Sequence, residues 1–205
     1  MSEYNLKTGD LLLFDNEDYS GINSLSYLIK KITKSKISHI AMVLKDPDFI
    51  HPSLKGYYVW ESGWEGKPDP QDGKVKLGVQ ITPFHEIYES YKKTNSFIYL
   101  RRVNCDTNLF SLENLKKVHE VVHDKKYDTN PLDWIKGIER KDSIPQKTDC
   151  FWCSALIGYI YTKCGLLEPK TDWSILRPSD FTIEYNGELK FINDSCLNNT
   201  EEQIL

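Results

Sequence analysis

The chain has 205 residues, 40% of them hydrophobic and 12% aromatic, with 26 Lys and Arg against 30 Asp and Glu for a net charge of −4. That is one domain's worth of chain with enough apolar material for a core, which excludes a disordered polypeptide. A nearly balanced, slightly acidic composition also lacks the electrostatic footprint of a nucleic-acid binder.

The opening "MSEYNLKTGDLLLF" has no basic leader and no long apolar stretch ending in small residues, so no signal peptide is expected. No run reaches the ~18 apolar residues of a membrane span, although peripheral membrane contact stays open. The five cysteines are an odd number and read as reduced thiols of a cytoplasmic protein. "GDLLLFDN" (9–16) is a short apolar run closed by Asp-Asn and predicts a buried strand. "SGINSLSYLIKKITKS" (20–35) places Ile22, Leu25, Leu28, Ile29 and Ile32 at helical spacing. "KISHIAMVL" (36–44) and "GYYVWES" (56–62) are β-rich and predict neighbouring antiparallel strands.

"GWEGKPDPQDGK" (63–74) is a Gly/Pro/Asp loop long enough to border a cleft. "VKLGVQITPF" and "SFIYLRRV" predict two more strands, with a short helix between them near 83–91. Helices follow near 111–124, 131–139 and 152–164, and "RPSDF" starts a last element. A domain over residues 1–190 and a polar tail over 191–205, expected to fray, complete an α+β chain.

In "DCFWCSALIGYIYTKCGLL" (149–167), Ala155, Leu156, Ile160, Tyr161 and Cys164 form an apolar stripe on a helix that begins at Cys153. Free N–H groups and the positive end of the helix dipole favour a thiolate in that first turn and hold a developing oxyanion. The plainer reading is a buried structural cysteine, the commoner fate of a lone Cys. Cys150 and Cys153 also have Cys-x-x-Cys spacing, but a zinc site needs a second pair and a thioredoxin-like dithiol needs a βαβ context. His39, in "SHIAMV", enters an apolar strand, where histidine is usually a satisfied core residue. Glu61, in "VWESG", ends the next strand, where glutamate is usually solvated. On adjacent strands, the carboxylate would orient the imidazole and stabilise its protonated form.

"VHEVVHDKKYD" contains His-Glu-x-x-His, with His119 and His123 on one helical face. A metzincin continues with Gly and His where this chain has Lys126 and Thr129, and Glu139 follows Pro131 too soon to be a third ligand from a downstream helix. With Leu112, Leu115, Val118 and Val122 buried, the histidines would lie at the stripe's edge and Glu120 toward solvent. No metal and no cofactor is expected.

"TGDLLLF", "ITKSKISHIAMV", "YYVWES", "GVQITPF", "KKYD", "FWCSALIGYIY" and "RPSDF", in this order over residues 7–181, resemble the circularly permuted papain-like enzymes of the NlpC superfamily. The nearest likeness is to the branch of bacteria and large DNA viruses that includes the poxvirus members, with lecithin retinol acyltransferase more distant. The resemblance implies a permuted papain-like fold, an antiparallel sheet packed with helices, with Cys153 as nucleophile at a helix N-terminus, His39 as base and Glu61 as orienting residue. The implied activity is a cysteine-dependent hydrolase or acyl transferase acting on a peptide, amide or lipid-ester substrate. The alternatives are an inactive binding or structural protein of a virion and, more remotely, the zinc peptidase. Cys150 and the long polar loop depart from the family pattern, the first as a site for a regulatory disulfide, the second as a change to the cleft.

Overall fold

The computed structural model describes residues 4–17, 27, 30, 31, 33–128, 146–185 and 189–205. The fold is mixed α+β around an eight-stranded sheet. Its strands are β1 (Leu11–Asp15), β2 (His39–Lys45), β3 (Tyr57–Gly63), β4 (Gly78–Pro83) and β5 (Phe97–Arg101), with the two-residue strands β7 (Lys126–Tyr127), β8 (Cys150–Phe151) and β10 (Glu202–Gln203). The order across the sheet is β10-β5-β1-β2-β3-β4-β7-β8, antiparallel throughout except for the parallel pair β7–β8. A separate ribbon pairs β6 (Val103–Asn104) with β9 (Cys196–Leu197).

Every residue of β1 is buried because both faces of the sheet are covered. Leu11 and Leu13 join Ile40, Met42 and Trp60 in one core, while Leu12, Phe14, Ala41, Val43 and Val59 face a second. Period-two alternation between two apolar layers therefore reads in sequence as an unbroken hydrophobic run. Of the three fully described helices, α1 (Phe84–Lys93) covers the second core through Phe84 and Ile87, and α2 (Leu112–Val122) and α3 (Cys153–Lys163) cover the first.

The short helix near 83–91 and those near 111–124 and 152–164 are present, and "RPSDF" becomes a 3₁₀ turn over Pro178–Phe181. Of the helix expected over 20–35, residues 27, 30, 31 and 33 are described and helical, and 131–139 lies outside the described residues. Three expectations need correcting. Helix α3 has no single apolar stripe, since every residue from Cys153 to Thr162 is buried. Its polar side chains bond to the backbone instead, Ser154 Oγ donating to the Leu176 carbonyl at 2.7 Å and Thr162 Oγ1 to the Gly158 carbonyl at 2.8 Å. Leu112 is 61% exposed because it opens α2, ahead of the turn that meets the sheet. The polar tail is docked: Glu202 pairs with Leu100, and Leu197 and Ile204 are buried.

Candidate active site

His39 is the first residue of β2 and Glu61 lies two residues before the end of β3, so both sit at one end of the sheet. Met42 pairs with Trp60, and the same register sets His39 opposite Gly63, with Glu61 on the diagonal. Gly63 leaves that diagonal open. A Cβ there would stand 3.3 Å from Glu61 Oε2 and 3.4 Å from His39 Cε1. Across the gap the imidazole Nε2–H donates to Glu61 Oε2 at 2.7 Å. The glutamate side chain is 1% exposed, against the solvated state usual for a strand end, and Thr82 Oγ1 donates to its other oxygen at 3.5 Å. Phe14 backs the imidazole, with ring centroids 5.3 Å apart, and Tyr91 packs on Phe14 in turn at 4.8 Å.

Cys153 arrives from the opposite layer as the first residue of α3. Its position is fixed from both sides. Phe151, two residues earlier, offers its carbonyl to Ser62 Oγ at 2.6 Å and to the Asp128 N–H at 3.2 Å. Trp152 Nε1 donates to the Leu176 carbonyl at 3.1 Å, where Ser154 Oγ also lands. The Cys153 side chain lies near enough to the imidazole held by Glu61 to favour its charged form. With Nε2 committed to Glu61, Nδ1 is the nitrogen left for the thiol.

Burial of the ring opposes its charge, but the hydrogen bonds and negative charges of Cys153 and Glu61 outweigh burial and raise the His39 pKa well above 6.5. The N-cap of α3 is Trp152, which makes no side-chain cap bond, and among the described residues no side chain takes up the N–H groups of the first turn. An Asp or Ser at the cap would contribute about 1 kcal/mol to the helix. Here those donors stay available beside the sulfur.

Sequence reading missed three further members of this cluster. Tyr127 has its phenol pKa raised well above 10 by burial and then by charge at Cys153 and Asp128. Tyr91 is raised likewise by burial and then by Glu65, Glu61 and Cys153. Glu65 is pushed up to about 8 by burial and then by the Glu61 charge, with His39 and Lys67 opposing. Nothing in "GWEGK" marks Glu65, whereas an aromatic at the cap position before Cys153 was a readable signal of uncapped donors.

Because Gly63 is what keeps the His39–Glu61 diagonal clear, Gly63→Ala is expected to press on both partners. The variant should fold with a melting temperature near wild type while the reaction rate of Cys153 drops several-fold. Alkylation kinetics followed by mass spectrometry would check this, and an unchanged rate would mean that the diagonal contact is not needed.

The His-Glu-x-x-His residues serve a different structure. His119 Nε2 donates to Gln71 Oε1 at 2.7 Å, His123 Nε2 lies 3.5 Å from Asp72 Oδ2, and the two rings stack at 4.9 Å. Lys76 completes the clamp on the 63–74 loop, with Asp69 at 3.1 Å and Asp72 at 2.9 Å. Glu120 faces solvent. Among the described residues no group of three His, Cys, Asp or Glu is placed to hold a metal ion.

Burial, then the charges of His123 and Lys76, depress the His119 pKa to about 4. A histidine depressed below its unfolded value of 6.5 stabilises the fold above 6.5, and that contribution is lost as pH falls toward 4. His119→Asn should therefore flatten the decline of the thermal midpoint between these pH values, as measured by calorimetry. A parallel decline in both proteins would show that the clamp does not depend on a neutral His119.

Among the described residues no helix is long and apolar enough to cross a membrane. Compared with known proteins, the chain matches no family model and no curated sequence.

Proposed function

We propose that this protein is a cysteine-dependent hydrolase or acyl transferase of the circularly permuted papain-like type, acting on an amide or ester bond. The observation that carries the reading is one imidazole bonded to a buried carboxylate, with its charged form favoured by a cysteine at a helix N-terminus whose N-cap side chain makes no cap bond. In this mechanism His39 takes the Cys153 proton and the thiolate attacks the carbonyl carbon. The resulting oxyanion is held by the first-turn N–H groups of α3. As the tetrahedral adduct collapses, the imidazolium returns its proton to the departing amine or alcohol, leaving an acyl-enzyme. Water or another acceptor then attacks the thioester, with His39 as base, and frees Cys153. Glu61 stabilises the imidazolium in each half-reaction.

The order His39, Glu61, Cys153 resembles that of the permuted enzymes of the NlpC superfamily, and the five cysteines are all free thiols, as a reducing cytoplasmic compartment would keep them. A binding or structural protein on the same frame is the second reading, favoured by a Cys153 that is only 2% exposed. A fluorescent thiol-reactive acyl probe, with the adduct mapped by mass spectrometry, separates the two. An acyl group on Cys153 that turns over and is absent in Cys153→Ala supports the enzyme; no adduct at Cys153 supports the binding protein.

A further inference from the structure

Gly63 ends β3 with its Cβ position 3.4 Å from His39 Cε1, and the next residue is Trp64. Consecutive Cα atoms are about 3.8 Å apart, so Trp64 stands at the edge of the site. Its direction follows from the pleat. Gly63 faces Glu61 and His39, so Trp64 turns to the other face with Ser62. That face leads to Cys153. Ser62 Oγ donates to the Phe151 carbonyl at 2.6 Å. Strand β3 is antiparallel to β4, β4 is antiparallel to β7, and β7 is parallel to β8, so β3 and β8 run the same way. Trp64 and Cys153 each come two residues after that hydrogen bond and leave the sheet at the same end.

The indole rests on its own loop. A Cβ at Gly66 would stand 3.6 Å from Trp64 Nε1 and 3.8 Å from Cε2, so the ring lies against the Gly66 backbone. The loop is tied down in turn. Gln80 Nε2 donates to the Gly63 carbonyl at 3.1 Å, Lys67 pairs with Glu86 of α1 at 2.7 Å, and the Ile81 N–H donates to Asp69 Oδ2 at 3.4 Å. Trp64 packs in neither core and is 46% exposed, the one large apolar residue of the 63–74 loop. Its neighbours in the loop are Gly, Pro and polar residues, so the loop adds no apolar wall to enclose an aliphatic chain. A flat ring needs no enclosure. It gains contact from one face and adds offset stacking to the area it buries.

We propose that Trp64 is a specificity-determining residue of this site and selects acyl substrates that carry a planar aromatic group next to the scissile carbonyl. The proposal rests on the reading of Cys153 as nucleophile, since the nucleophile fixes where the carbonyl lies. With the carbonyl at Cys153, the aromatic group lies on the indole. Because the loop is already tethered, little freedom is lost on binding.

The 4-nitrophenyl esters of acetic, cyclohexylacetic and phenylacetic acid test this. In each, a thiolate attacks the carbonyl carbon, 4-nitrophenolate leaves and a thioester remains, so the leaving group cancels in rate ratios. Acylation of Cys153 would be followed by mass spectrometry in wild type, Trp64→Phe and Trp64→Leu, with N-acetylcysteine as the reference thiol. The phenylacetate-to-acetate ratio at Cys153, relative to N-acetylcysteine, should be about tenfold in wild type, the size of one stacked ring with its buried area. Cyclohexylacetate, of similar bulk but not flat, should gain much less. Trp64→Phe should keep most of the selectivity, and Trp64→Leu should lose it. Equal ratios in wild type and Trp64→Leu, or cyclohexylacetate matching phenylacetate, would overturn the proposal. Selectivity lost as fully in Trp64→Phe as in Trp64→Leu would assign the effect to loop geometry and overturn it too. Failure of the underlying enzyme reading looks different: Cys153 would be acylated no faster than the exposed Cys196 even by the acetate ester, and the specificity role would fall with it.

Discussion

Iodoacetamide at neutral pH is expected to label Cys153 fastest of the five cysteines, and His39→Ala to slow that labelling about tenfold or more. Exposure alone favours a different order. Cys196 is exposed, Cys105 and Cys150 are half-buried, and Cys153 and Cys164 are each 2% exposed. If access governed the rates, Cys196 would lead and Cys153 would be nearly inert. The ranking therefore tests whether thiolate character outweighs burial. Cys164, on the same helix, supplies the internal control: it is equally buried, has no imidazole, and burial pushes its thiol up to about 12. Cys105 is also raised, by burial first and then by the nearby Asp106 and Asp10.

Glu61→Gln should cost less than His39→Ala, since the amide keeps the contact at Nε2 and loses only the charge that favours the imidazolium. The rate should reach its plateau at a higher pH in Glu61→Gln than in wild type, because the carboxylate helps hold the raised His39 pKa and the imidazolium favours the thiolate at lower pH. If Cys153 labels no faster than Cys105 or Cys196, the catalytic reading gives way to the binding protein.

Gly78→Ala is expected to be the most damaging Gly-to-Ala change among the described glycines, costing about 3 kcal/mol or more by overpacking against fixed backbone. A Cβ on Gly78 would overlap the Lys125 carbonyl oxygen and stand 2.9 Å from Lys126 Cα and 3.0 Å from Tyr127 N. None of these atoms is the free end of a side chain, so the strand itself must move. The residue's φ of +152° adds backbone strain. Strand β7 carries Tyr127 beside Cys153 and pairs with β8, which leads directly into α3. Displacing β7 thus shifts Cys153 as well as loosening the sheet edge. Chemical denaturation should show the stability loss, and alkylation kinetics the slower Cys153. Gly56→Ala is the matched control, with a similarly positive φ of +94° but nothing within 4 Å, and should cost about 1 kcal/mol. Equal losses at the two positions would mean that conformational strain, and not the β4–β7 approach, decides the effect.

The strands were legible because their information is local: "LLLFD" and "HIAMVLK" declare burial by composition alone. His39 and Glu61 were legible as a pair because two adjacent β-rich runs imply neighbouring strands, and a short register then brings their ends together. The docking of the tail was not, since Leu197 and Ile204 are isolated apolar residues among polar ones and their partners are about a hundred residues away in β5 and its surroundings. The structural use of His119 and His123 depends on Gln71 and Asp72, which no helical spacing can reveal. Glu65 escaped for a related reason: its character comes from burial next to another carboxyl, a property of three-dimensional crowding with no sequence pattern.

The docked tail has a topological consequence. Tyr4 donates its hydroxyl to the Ile204 carbonyl at 3.1 Å, and Arg102 Nη2 donates to the Tyr4 carbonyl at 2.6 Å, so residues 4 and 204 lie side by side. Between those two points the chain runs out and back, and the Tyr4 side chain spans the gap to residue 204. A peptide linker of a few residues would close that gap, and a new opening at Gly56, in a turn with open space around it, would leave the pairing of β2 with β3 to be made between segments that no longer follow one another. For a chain held by side-by-side pairing along a sheet, a variant opened at that turn is expected to regain the pairing of β2 with β3.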